Sequence, residues 1–132
     1  MIYLTGANGL VGSRLCNYLG DQEVTKISYR DEVPDVFESH DKSFLIHLGW
    51  SSTTRAKDKS VEQDVINSKK LFEFYQKKNR NGHIIFLSTA GDLHRDTDND
   101  IPTPHSLYGK CKLEVENILN ELDVQTTIFR VT

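Results

Sequence analysis

The sequence predicts an α/β protein, a doubly wound parallel sheet of five or six strands with helices on both faces. Short β-type runs alternate with longer amphipathic ones along the whole chain, the mark of βα units on a parallel sheet. FLIHL at 44–48 is a nearly unbroken apolar run, as a strand covered on both faces requires, and GHIIFLS at 82–88 reads as another buried strand. A glycine turn, TGANGLVG at 5–12, stands directly between the first strand and the first helix.

The elements follow in order. IYLT at 2–5 is the first strand, and a helix over 10–20 carries Leu10, Val11, Leu15, Tyr18 and Leu19 at helical spacing, with Gly20 closing it. A second strand is expected over 24–29. The stretch RDEVPDVFESHDK before the strand at 44–48 is polar, proline-broken and too short for a full helix plus strand. A helix over 59–78 is set by Val61, Val65, Ile66, Leu71, Phe72 and Phe74. After the strand at 82–88, residues 90–105 read as a loop rich in Asp, Thr, Asn and Pro. A helix over 106–122 places Leu107, Cys111, Val115, Ile118 and Leu119 on one face, and TTIFRV forms the last strand.

Composition removes several functional classes. With 132 residues, 37% hydrophobic and 27% charged, the chain is one globular domain rather than a disordered or fibrous one. A net charge of −3 and a pI near 5.9 leave no basic footprint for nucleic acid. No apolar run reaches bilayer length and the N-terminus lacks signal-peptide features, so a cytoplasmic location and no membrane partner are expected. Cys16 and Cys111 read as small buried hydrophobes. The five histidines are scattered without metal spacing, and DTDND at 96–100 lacks the glycine and distal Glu of a calcium loop, so no metal is expected.

Two constellations carry chemistry. In a turn from strand to helix, backbone N–H groups and the helix dipole favour an anion. Gly6 then serves the tight turn, Gly9 the close approach of a pyrophosphate and Gly12 the packing of helix on strand. At the end of the second strand, where an acid would hold a ribose 2′-hydroxyl, ISYRDE offers Arg30. A guanidinium suits a 2′-phosphate, which favours NADP over NAD. The second constellation is YGKCK at 108–112, where Tyr108 and Lys112 lie one helical turn apart. The ammonium stabilises the phenolate and brings a weak base toward the working pH range.

Together TGANGLVG and YGKCK resemble the short-chain dehydrogenase/reductase superfamily, specifically its extended branch of NAD(P)-dependent sugar-nucleotide epimerases, dehydratases and reductases. IHLGW at 46–50, IIFLSTAG at 84–91 and PHSLYGKCKLEVE around Tyr108 extend the resemblance along the whole chain. It implies a Rossmann-type NAD(P)-binding domain over 1–132 that lacks most of the C-terminal substrate-binding region, as an N-terminal fragment would. It implies Tyr108 as acid/base, Lys112 as its pKa-lowering partner and ribose ligand, and Thr89 as the hydroxyl on the reacting oxygen. Cofactor contacts are implied for Gly6, Asn8, Gly9, Leu10, Val11, Gly12, Arg30, Leu48, Gly49, Trp50, Ser88, Tyr108 and Lys112.

Departures narrow the reading. Ala90 and Gly91 stand where the dehydratases carry an acidic pair, which argues against elimination of water. Asp64 replaces the Asn expected early in the helix over 59–78, and the acid expected near the adenine has no counterpart in 31–43. The expected function is an epimerase or reductase acting on a nucleotide sugar. The alternatives are a sensor that binds NADP(H) without chemistry and a reductase of a non-sugar carbonyl. By resemblance, a homodimer would form through the helices at 59–78 and 106–122.

Overall fold

The computed structural model describes residues 1–20, 22–29, 32–50, 58–89, 93–95, 102–104 and 107–131. Its elements are β1 (Ile2–Thr5), α1 (Leu10–Leu19), β2 (Val24–Ile27), β3 (Phe44–His47), α2 (Asp58–Lys78), β4 (His83–Thr89), β5 (Leu93–Arg95), β6 (Pro102–Pro104), α3 (Leu107–Asn120) and β7 (Gln125–Val131). Five strands form one all-parallel sheet in the order β2-β1-β3-β4-β7, and β5 and β6 pair antiparallel in a separate ribbon.

The strand order reverses at β1. The chain steps one way to β2, then back across β1 to β3, β4 and β7. Right-handed crossovers therefore place α1 on one face and α2 and α3 on the other. Side-chain alternation agrees. Tyr3, Leu45, Ile84 and Phe86 enter the main core with Val65, Phe72 and Tyr75 of α2 and Cys111, Val115 and Leu119 of α3, and the buried His47 ring packs on Phe72 and Phe86 of that core. Leu4 points the opposite way and is fully buried outside that core. The far half of the α1 face is more open, with Phe44, Phe129 and Val131 exposed.

The sheet meets the expected five or six strands, with two differences in detail. β2 ends at Ile27, two residues before the expected end, and the segment expected as a loop contains the β5–β6 ribbon. Among the described residues no strand lies between β2 and β3. Val33 and Phe37 instead tuck into the core, Phe37 meeting Tyr3 and Tyr75 edge-on at 4.8 and 5.4 Å between ring centroids. Cys111 is buried and Cys16 half-buried, both as free thiols. Ile66 on α2 is exposed.

Candidate functional site

A crevice of about 830 Å³ opens at the carboxyl ends of β1, β2 and β3, where the strand order reverses. In open parallel sheets this is where ligands bind. One wall is the turn from Thr5 to Gly9, the second is Ile27 to Tyr29, and the third is Gly49 and Trp50, with Asp64 of α2 completing the lining.

The glycine turn has the geometry its sequence implies. Gly6 has φ +74°, a conformation L side chains avoid, and a Cβ there would sit 2.7 Å from Gly49 N. A Cβ on Gly12 would overlap the Gly6 carbonyl oxygen, so only glycine lets α1 lie this close to the turn. Gly9 is exposed, and a Cβ on it would meet Gly6 O alone, at 3.4 Å. Gly9 caps α1 with extended backbone and no side-chain hydrogen bond, and the first turn of α1 carries no acidic residue. The leading amides are thus free of a capping side chain at the positive end of the helix dipole, the arrangement that favours an anion. Asn8 lines the crevice; Leu10 and Val11 are exposed at the start of α1.

α3 reaches the same crevice indirectly. Lys112 is 5% exposed. Its Nζ donates to the Leu87 carbonyl at 2.9 Å and lies 4.3 Å from the Trp50 ring centroid, 4.8 Å from Phe86 and 5.7 Å from Tyr108. Trp50 therefore stands between Lys112 and the crevice it lines. Its indole Nε1 is buried and meets no hydrogen-bond partner among the described residues. Burial lowers the Lys112 ammonium to about 8, opposed by the Asp64 and Glu116 carboxylates. Burial, and then the Asp64 carboxylate, push the Tyr29 phenol up to about 12.

Ser88 and Thr89 leave β4 on opposite faces. Ser88 is buried toward α3 and donates to Glu116 Oε2 at 2.7 Å; Glu116 in turn takes a two-pronged ion pair from Arg130 of β7, 2.6 Å at its shortest. Thr89, half-buried, ends the strand opposite Val131. Tyr108 is half-buried in the first turn of α3, and Leu48 and Gly49 continue β3 at half-buried positions. Arg30 lies outside the described residues. The structure thus brings Gly6, Asn8, Gly9, Gly49 and Trp50 around one crevice, with Lys112 against Trp50 and the Tyr108 ring 5.7 Å from the Lys112 Nζ. The Ser88 hydroxyl is directed to α3 instead.

The family model for the NAD dependent epimerase/dehydratase family matches residues 2–132. The chain belongs to the NAD dependent epimerase/dehydratase family. No curated protein sequence matches it. Among solved structures it is similar to a UDP-galactose 4-epimerase, at 18% identity and TM-score 0.76, over 98% of this chain and 55% of that one. UDP-glucuronic acid 4-epimerase from Bacillus cereus in complex with NAD is 20% identical, with TM-score 0.71, over 99% of this chain and 55% of that one. RMD from Pseudomonas aeruginosa, complexed with NADPH, is 16% identical with TM-score 0.69, over 98% and 52%. The chain spans about half the length of these structures. Their likeness shows a shared Rossmann-type fold.

Among the described residues of this family member, no group of His, Cys, Asp and Glu could hold a metal ion, and no helix is long and apolar enough to cross a membrane. Three features were not singled out from sequence. His47, set aside there for want of metal spacing, sits fully buried in a hydrogen-bonded chain with Thr5 and Ser68. Glu116, one turn beyond Lys112 on α3, is buried between Ser88 and Arg130. Tyr29, noted as a strand end, is a half-buried wall of the crevice.

Proposed function

We propose that this chain is the cofactor-binding half of an oxidoreductase acting on a nucleotide sugar, an epimerase or reductase working by hydride transfer, with Tyr108, Lys112 and Thr89 as its active set. The observation that supports this most is the crevice at the strand-order reversal. Its uncapped helix start and close-packed glycines suit a diphosphate, and its wall, Trp50, stacks on Lys112.

A nicotinamide dinucleotide, when bound, would accept and return the hydride. The protein's own part is position and field. The amides opening α1 would hold the diphosphate, and Ile27 to Tyr29 would line the adenosine end. Arg30, next in the chain, would take a 2′-phosphate, so NADP is preferred to NAD. The Tyr108 phenol would exchange a proton with the substrate oxygen. The Lys112 ammonium beside its ring favours the phenolate, and with a value near 8 it stays mostly charged at neutral pH. Thr89 would hydrogen-bond the reacting oxygen.

Trp50 is the chain's one tryptophan, so its fluorescence reports on the crevice. NADPH is expected to quench it saturably at one site per chain, and no quenching at millimolar NADPH would overturn the dinucleotide reading. The second reading, a sensor without chemistry, draws support from Lys112, whose Nζ is already committed to Leu87 O and two aromatic faces. Lys112→Met tests which role that side chain has. If Lys112 serves the nicotinamide ribose, NADPH binding weakens while ADP binding holds; if it is purely structural, the two ligands respond alike.

A further inference from the structure

We infer that His47, held as the neutral tautomer protonated on Nε2, is the positioning residue of the diphosphate cradle and acts through the Thr5 hydroxyl. The inference rests on the dinucleotide reading and adds the element that fixes the shape of its site.

Counting hydrogen-bond donors and acceptors fixes the protons. Thr5 closes β1, and its Oγ1 accepts two main-chain N–H groups, Leu48 N at 3.1 Å and Gly49 N at 2.9 Å. Those two bonds occupy both lone pairs of a hydroxyl oxygen, so the hydroxyl proton must be given away. The acceptor within reach is His47 Nδ1, at 2.7 Å. A neutral imidazole that accepts at Nδ1 carries its proton on Nε2. That N–H faces Ser68 Oγ at 2.8 Å and donates to it. Phe86, stacked at 5.8 Å, and Phe72, edge-on at 5.4 Å, hold the ring in plane. Thr5, His47 and Ser68 are each no more than 1% exposed, so water does not substitute for any of these partners.

The consequence falls on the crevice. Thr5, Gly6 and Gly49 line it together, and Gly6 packs so closely on the 48–49 main chain that a Cβ on it would sit 2.7 Å from Gly49 N. The Thr5 hydroxyl is what fastens the main chain at 48–49 to the end of β1. An imidazole with a proton on Nδ1 would turn the hydroxyl around and release one of the two amides. The wall carrying Trp50 would then shift against the turn that faces the diphosphate.

Two measurements test this. Nitrogen-15 NMR of the unmodified chain is expected to show Nε2 of His47 protonated and Nδ1 bare; a protonated Nδ1 at neutral pH overturns the inference. Binding of ADP, which carries the diphosphate, is then compared with binding of adenosine, which does not. Thr5→Val, which is isosteric, and His47→Leu are expected to weaken ADP about tenfold, the size of one hydrogen bond to a charged group, with adenosine unchanged. Thr5→Ser, which restores the hydroxyl, is expected to bind ADP like the unmodified chain, which guards against variants that merely misfold. Equal losses for both ligands, or unchanged ADP binding in Thr5→Val, overturn the positioning role alone. An unmodified chain that binds no ADP overturns the dinucleotide reading, and the positioning role falls with it.

Discussion

Acidification should unfold this protein through His47. The imidazole is fully buried, and burial, with the Lys112 charge as a second cause, lowers it from 6.5 to about 3. Between those values the unfolded chain binds a proton at this ring that the folded chain refuses, so stability falls as pH falls. The slope approaches about 1.4 kcal/mol per pH unit, and the loss between pH 7 and pH 5 comes to about 2 kcal/mol. The assay is urea unfolding followed by far-ultraviolet circular dichroism at pH 7, 6 and 5, for the unmodified chain and for His47→Asn. The variant is less stable at pH 7 because it loses the stacked ring, but its stability should fall less with acid by that same amount. Every other group is common to both proteins and cancels in the difference. Parallel stability curves for the unmodified chain and His47→Asn would refute the reasoning, because the buried ring would then titrate as it does in water.

Gly12→Ala drives a methyl group into the Gly6 carbonyl oxygen and should cost about 2 kcal/mol by overpacking, with ADP binding lost; unfolding midpoints and ADP titration check both. Arg30→Asp should weaken NADPH about tenfold and leave NADH unchanged, read from Trp50 quenching; equal effects on both would remove the NADP preference. Arg130→Met leaves the buried Glu116 carboxylate, among the described residues, with the Ser88 hydroxyl as its hydrogen-bond partner and should destabilise the fold by roughly 3 kcal/mol in urea unfolding. The homodimer that the resemblance implies through α2 and α3 is testable at Ile66, which is exposed on α2: Ile66→Glu is expected to sediment as monomers where the unmodified chain sediments as dimers, and an unmodified chain that is already monomeric would remove that pairing.

Most of the fold was legible because its signals are local. β1, the glycine turn and α1 occupy one continuous stretch, and each announces itself by composition: β-type residues, then glycines, then apolar residues at helical spacing. α2 and α3 are long enough for their period to stand out. The β5–β6 ribbon was not legible. Its strands are three residues long and β6 carries two prolines, which donate no main-chain hydrogen bonds, so no period-2 pattern forms. Val33 and Phe37 were hidden for another reason. They are isolated apolar residues in a polar stretch, and the burial of Phe37 depends on a recess built by Tyr3 and Tyr75 from distant parts of the chain.

At the site, residue type and spacing revealed which side chains carry chemistry, but not what they touch. Tyr108 and Lys112 were visible because one helical turn joins them. That Lys112 lies on Trp50, at the end of another strand, is a product of sheet order. His47 shows the limit most clearly: its partners stand 42 and 21 residues away, so no local pattern exists to read. Yet the need for such a group follows from the topology. Where strand order reverses, β1 parts from its neighbours' crossovers and leaves a cleft whose walls, the turn after β1 and the chain after β3, have no sheet hydrogen bonds to join them. A hydroxyl at the end of β1 can fasten the second wall only if something buried takes its proton. A histidine kept neutral by burial, one residue before that wall begins, meets this requirement where a charged side chain would face a large desolvation cost.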